Sequence, residues 1–220
     1  MKHLLISLFA LLSFTQPVSA DIGLISDLHV GSEKARKNSE GSYVYPKKAL
    51  GEFKKTLKIM NGKVDFILVL GDSTNKKSSK YAKQVKKASA ISKVPVLFVK
   101  GNHDKDGFRY ISKETYYTRE INGVKIMVLD TNYTDLSSIG QISDVQRQWI
   151  YDNIEGVDVI GMHHPINQDA RSMQRYAWLD ELVKEHNITV YSGHIHRNQT
   201  EGNYHWIGAL TTSGYVIDNF

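Results

Sequence analysis

Five short runs of apolar, β-branched residues punctuate the chain, at 22–26, 66–70, 94–99, 157–162 and 188–191. Each is too short for a helix and apolar at nearly every position, the pattern of a strand buried on both faces. Between them the period changes to that of helices. Residues 47–60 place Leu50, Phe53, Leu57 and Met60 on one face and stop at Asn61-Gly62, while Tyr81, Val85 and Ala88 form a weaker stripe. Ser143 and Gln146 have capping-box spacing, predicting a helix through Trp149 and Ile150; another runs from about 172 to 185 with Tyr176, Leu179 and Leu182 or Val183 inward. Runs at 116–121 and 124–129 flank Asn122-Gly123, a hairpin signal because a type I′ turn needs positive φ at both central residues. Strand-like runs return at 204–207 and 214–217. Strands alternating with helices, plus a hairpin and a strand-rich end, predict a layered α/β fold with parallel and antiparallel strands.

Residues 1–20 read differently: a basic start at Lys2 and His3, an apolar run over 4–14, then Val18-Ser19-Ala20. This is the pattern of a removable secretory signal, the apolar run being shorter than the roughly 20 residues that span a bilayer. The expected mature chain is 21–220, exported to the periplasm or outside the cell, with no later stretch of spanning length. No repeat or linker divides it, so one domain is expected. The chain has no cysteine, which excludes disulfides and a lipid attached through cysteine. Without Lys2 the balance is 27 basic against 23 acidic residues, a net charge of +4. Such mild basicity suits an anionic substrate but does not by itself select one.

The chemistry sits where the five strand candidates end. They run in turn into Asp27-Leu28-His29, Gly71-Asp72, Gly101-Asn102-His103-Asp104, His163-His164-Pro165 and Gly193-His194-Ile195-His196, which hold six of the eight histidines in 21–220. Open α/β sheets bind ligands beyond the carboxyl ends of their strands, so groups scattered along the chain converge there. Imidazole, carboxylate and amide oxygen together suit manganese, iron or zinc, and the lack of cysteine argues against a soft thiolate site. Gly71, Gly101 and Gly193 each precede a candidate ligand, where the chain must turn and approach closely.

These motifs, in this order and spread over 27–196, resemble those of the calcineurin-like metallophosphoesterases. The resemblance implies a four-layer α/β/β/α sandwich with mixed sheets and a site for two divalent metal ions. It implies that Asp27, His29 and His196 hold the first metal, that Asn102, His163 and His194 hold the second, and that Asp72 bridges them. His103 is implied to lie beside the scissile phosphate as a catalytic group, with Asp104 orienting its ring. The family ligand falls two residues before the proline, which favours His163 over His164. The reaction implied is hydrolysis of a phosphate ester, a nucleotide among the candidates, by metal-activated water. His29 is present, and Asn75 stands where the purple acid phosphatases carry a tyrosine, so the chain looks more like the bacterial phosphodiesterase branch. Two other functions fit the same residues: an extracellular nuclease of the same fold, and a silent module binding phospho-ligands or polyanions.

Two basic segments are ambiguous. Lys76, Lys80, Lys83 and Lys87 have the spacing of one helical face, best read as solvated rather than as a nucleic-acid footprint. Residues 105–117, with Lys105, Arg109, Tyr110, Tyr116 and Tyr117, offer cations and aromatic rings that suit substrate contact or an ordinary surface.

Overall fold

The computed structural model describes residues 19–37, 41, 43–134 and 139–220; nearly all of the expected signal segment lies outside them. In chain order the elements are β1 (Asp21–Ile25), β2 (Arg36–Lys37), β3 (Tyr43–Val44), α1 (Pro46–Met60), β4 (Phe66–Leu70), α2 (Ser79–Ser89) and β5 (Val96–Val99). A 3₁₀ turn (Lys105–Tyr110) leads to β6 (Tyr117–Ile121), β7 (Val124–Val128), α3 (Asp144–Asn153), β8 (Val159–Met162), α4 (Ala170–Glu185) and β9 (Thr189–Ser192). The chain closes with β10 (Gln199–Glu201), β11 (Tyr204–Trp206), α5 (Leu210–Ser213) and β12 (Val216–Asn219).

Two mixed sheets form, ordered β12-β1-β4-β5 and β10-β11-β9-β8-β7-β6. Strands β1, β4 and β5 run parallel, as do β7, β8 and β9; of the five predicted buried strands, β1, β4, β8 and β9 lie inside the two sheets and β5 forms an edge of the first. Alternation sorts their side chains into layers. On β4, Phe66, Leu68 and Leu70 enter the core between the sheets with Ile126, Val128 and Val159, while Ile67 and Val69 pack beneath Phe53 and Leu57 of α1 and Val85 of α2. Beyond the second sheet, Ile160 and Val190 meet Ile150 of α3 and Leu179 of α4. Three apolar layers therefore separate helix, sheet, sheet and helix, giving the α/β/β/α sandwich.

The hairpin turns at Asn122 (φ 52°) and Gly123 (φ 84°), both positive as a type I′ turn demands. Ser143 caps α3 by accepting from the Gln146 amide nitrogen. The predicted box is only half formed, because the Gln146 carboxamide bonds both backbone groups of Asp130 instead, at 2.8 and 2.7 Å. Two bonds to the end of β7 replace one at the helix start. The lysine stripe also changes: α2 begins at Ser79, leaving Lys76 in the preceding loop.

Candidate metal centre

The loops after β1 and β4 stay paired beyond their strands, with the amides of Asp27, His29 and Val30 donating to the carbonyls of Gly71, Asp72 and Ser73. Holding that register bends the backbone into the left-handed region at Asp27 (φ 49°), His29 (51°) and Asp72 (47°); His194 (72°) and His196 (55°) do the same after β9. Such conformations cost of order 1–3 kcal/mol each and persist where the surroundings over-determine them. At Gly101 an added Cβ would lie 2.0 Å from the Asp72 nitrogen, and at Gly193 2.1 Å from Ser26 Oγ. Glycine is thus required at both positions by close approach.

The strand ends bring all the sequence-predicted ligands into one cluster. His196 Nε2 lies 3.1 Å from Asp27 Oδ1 and 3.1 Å from His29 Nε2, and His29 Nε2 lies 3.7 Å from Asp27 Oδ1. Asp27 Oδ2 is committed elsewhere, accepting from the Ser26 hydroxyl (2.5 Å) and the His194 amide (3.0 Å), whereas the buried Oδ1 turns toward His29 and His196. Asp72 faces both ways: its Oδ2 lies 3.6 Å from His29 Nε2, and its Oδ1 lies 3.5 Å from His163 Nε2. His163 Nε2 in turn lies 2.9 Å from Asn102 Oδ1, and the His163 and His194 rings meet with centroids 5.1 Å apart.

These separations fit a cation. Ligand atoms about 2.1 Å from one ion, tetrahedral or octahedral, lie about 3.0–3.4 Å from each other. The proton positions fit as well. His163 Nδ1 is 2.9 Å from the Leu70 carbonyl, which can only accept, so the neutral ring has its proton there and aims the Nε2 lone pair at the Asn102 oxygen. An imidazole lone pair and an amide oxygen converging at 2.9 Å is the arrangement that two ligands of one cation adopt. Asp27, His29 and His196, and separately Asp27, Asp72 and His163, are groups whose ligand atoms can hold an ion.

Burial and charge set the protonation states. Burial opposes the charged form of Asp27, but the surrounding imidazoles, His196 foremost, overcome it and hold the carboxyl well below its ordinary range. Burial raises Asp72 to about 6, outweighing the pull of His103, with the Asp27 charge adding to the rise. Burial also drives His29 well below the usual imidazole value and lowers His163, keeping both neutral.

His163 and His164 both lie past the end of β8, so strand alternation does not separate them. His164 is fully buried; its Nδ1 is 2.7 Å from Thr131 Oγ1 and its ring sits 4.5 Å from that of His194. His163, His164 and His194 form a further group able to hold an ion, but His163 is the one that reaches Asp72 and Asn102.

Asp104 does not orient the His103 ring as expected. Its Oδ1 accepts from Thr74 N (2.8 Å) and Thr74 Oγ1 (3.2 Å), and its Oδ2 from Gly101 N (3.0 Å), so it staples the loop after β4 to the loop after β5. Burial, reinforced by Asp72, raises its carboxyl to about 6. The His103 ring is instead fixed by Asn75, whose carbonyl accepts from Nδ1 at 2.7 Å; Nε2 then faces Asp72 Oδ2 at 3.9 Å. The sequence marked Asn75 only as standing in place of a tyrosine; its main-chain hold on His103 carries no sequence signature. The segment 105–117 divides: Lys105 borders the cluster, Arg109, Tyr110 and Tyr117 line a separate cavity of about 480 Å³ with Lys86, and Tyr116 packs on Trp149.

The family model described as calcineurin-like phosphoesterase matches residues 20–206. The chain belongs to that family and is a hydrolase of phosphate esters. A dimetal phosphatase from Danio rerio superposes with a TM-score of 0.67 at 15% identity, covering 89% of this chain and 88% of that one. A putative 5′-nucleotidase from Staphylococcus aureus (TM-score 0.55, 12% identity) covers 87% of this chain and 49% of its own; a purple acid phosphatase from yellow lupin seeds (0.53, 13%) covers 82% and 38%. At these identities the likeness is one of fold, and this chain spans less than half the length of the latter two. A comparison with curated proteins found no match.

Proposed function

We propose that the protein is an exported, two-metal phosphoesterase of the bacterial phosphodiesterase-like branch, with residues 21–220 as its domain and 1–20 as its export signal. The observation that carries this reading is Asp72, whose two carboxylate oxygens face opposite halves of the cluster. Asp27, His29 and His196 hold one divalent ion, Asn102, His163 and His194 the other, and Asp72 is shared. Manganese, iron and zinc all suit this donor set. Bound there, the ions supply a nucleophilic water at neutral pH and draw charge from the phosphoryl oxygens.

The chain contributes position and proton transfer. The Asn75 carbonyl holds the Nδ1 proton of His103, so in the doubly protonated ring Nε2 is the atom that gives a proton to the departing oxygen. Asp104 acts by holding the backbone beneath His103. Among the described residues no helix is long and apolar enough to cross a membrane.

The test uses residues 21–220, stripped with chelator and resupplied in turn with manganese, iron and zinc. Metal-restored hydrolysis of bis(p-nitrophenyl) phosphate is expected, and comparison with p-nitrophenyl phosphate ranks diester against monoester. Faster cleavage of single-stranded DNA or RNA than of either ester makes the protein a nuclease. No turnover of any of them with any metal overturns the catalytic reading in favour of a binding module.

A further inference from the structure

Beside His103 opens a cavity of about 410 Å³ whose walls carry Arg36, Lys76, Lys77 and Lys105. Asn75, Asn102 and His103 complete it, and no carboxylate is among the described residues that line it. Two acids stand just outside: Glu33 lies 3.4 Å from Lys76, and Asp106 pairs with Lys77. Lys76 and Lys77 are thus each matched by a carboxylate, which makes the Arg36 guanidinium the distinctive charge of the concavity. Arg36 meets only an amide among the described residues, Asn75 Oδ1 at 3.3 Å, and has no carboxylate within ion-pair distance there.

Its placement is specific. The small β2–β3 ladder, which pairs Arg36 with Val44, exists between β1 and α1 and brings the guanidinium over the loop after β4. Asn75 then carries both groups: its side chain accepts from Arg36, and its main-chain carbonyl accepts from His103 Nδ1. Lys105, which also lines the cavity, has φ 45°, one of six non-glycine residues with positive φ that belong to the cluster or this cavity, of eight among the described residues. The proton-carrying ring and the arginine are thus hung from one buried residue, and the space between them is where a departing oxygen's substituent must go.

We propose, resting on the phosphoesterase reading above, that the substrate's leaving group bears a second phosphate, received by Arg36 with Lys105, Lys76 and Lys77. Water oxygen bonds to phosphorus as the phosphorus–oxygen ester bond breaks; the leaving oxygen keeps the electron pair and takes a proton from His103, one water proton stays on the phosphoryl product, and the other goes to solvent, from which His103 takes back the proton it gave. The products are phosphate, or a phosphomonoester, and an alcohol still phosphorylated at its far end. A guanidinium fork matches phosphate oxygens in pairs, which makes Arg36 the selective group and the lysines a supporting field.

Two measurements test this. With manganese restored, 1,3-propanediol bisphosphate is compared with propyl phosphate, substrates that differ in the second phosphate. A kcat/KM ratio of about tenfold or more is expected, the size of one charge-assisted hydrogen bond, mostly through KM, falling towards one in Arg36→Ala and partly restored in Arg36→Lys. Separately, calorimetry follows inorganic pyrophosphate binding to the chelator-stripped protein, where Arg36→Ala is expected to weaken binding several-fold and added salt to weaken it further. A ratio of one in the parent protein, or a ratio unchanged in Arg36→Ala, overturns the proposal. Absence of hydrolysis of both esters fails the phosphoesterase reading instead, and pyrophosphate binding then decides the cavity: loss on Arg36→Ala supports it and indifference overturns it.

Discussion

Asp72 and His103 stand on adjacent loops and have separate proposed roles. Asp72 sits within reach of both halves of the cluster, so Asp72→Ala is expected to abolish metal binding, measured by equilibrium dialysis. His103 Nε2 stands 3.9 Å off that carboxylate and its ring leans on Asn75, so His103→Ala is expected to keep its metals and lose turnover by about 10²–10⁴-fold. Full activity in that variant removes His103 from the chemistry. The pH dependence follows from the same residue. Asp72 is raised to about 6 by burial and must lose its proton to take a cation, while His29 and His163, lowered by burial, are already neutral there. Metal affinity should therefore fall as pH drops below about 6 and level off above it, with a proton released on binding. A pH-independent affinity between pH 5 and 7 contradicts this.

At the scale of elements, the two loops after β4 and β5 depend on one buried carboxylate. Asp104→Ala strands the amides of Thr74 and Gly101, each a loss of about 1–3 kcal/mol, and should lower stability to urea accordingly while loosening His103. This is where the sequence was least legible. The buried strands could be read because both of their faces are apolar, and the hairpin because Asn122-Gly123 has a backbone requirement of its own. The candidate ligands stood out because glycine, aspartate and histidine recur at strand ends. The route of a side chain across loops has no such signature: Asp104 reaches Thr74 instead of His103, and Gln146 reaches Asp130 instead of its own helix start. The two-residue strands that deliver Arg36 are too short to show a period, and Lys76, read as part of a helical stripe, lies outside the helix because Ser78 caps it.

Across the whole molecule, the first ligand set draws on both sheets: Asp27 and His29 follow β1 in one, His196 follows β9 in the other, and the His194 amide bonds Asp27 Oδ2. A cation held there fastens the halves of the sandwich together and binds only the folded chain. Saturating metal, at about 100 times its Kd, should add about 2.7 kcal/mol and raise the melting temperature by about 5–10 °C over the chelated protein in calorimetry. An unchanged melting temperature would mean that the cluster does not retain metal at that concentration.

The most direct measurement is a titration of the stripped protein with manganese, recording bound metal per chain and the rate of ester hydrolysis in the same samples. Two ions per chain are predicted, with turnover rising only as the second is bound. Turnover by the metal-free protein, or full activity with a single ion, contradicts the shared role of Asp72 on which the account rests.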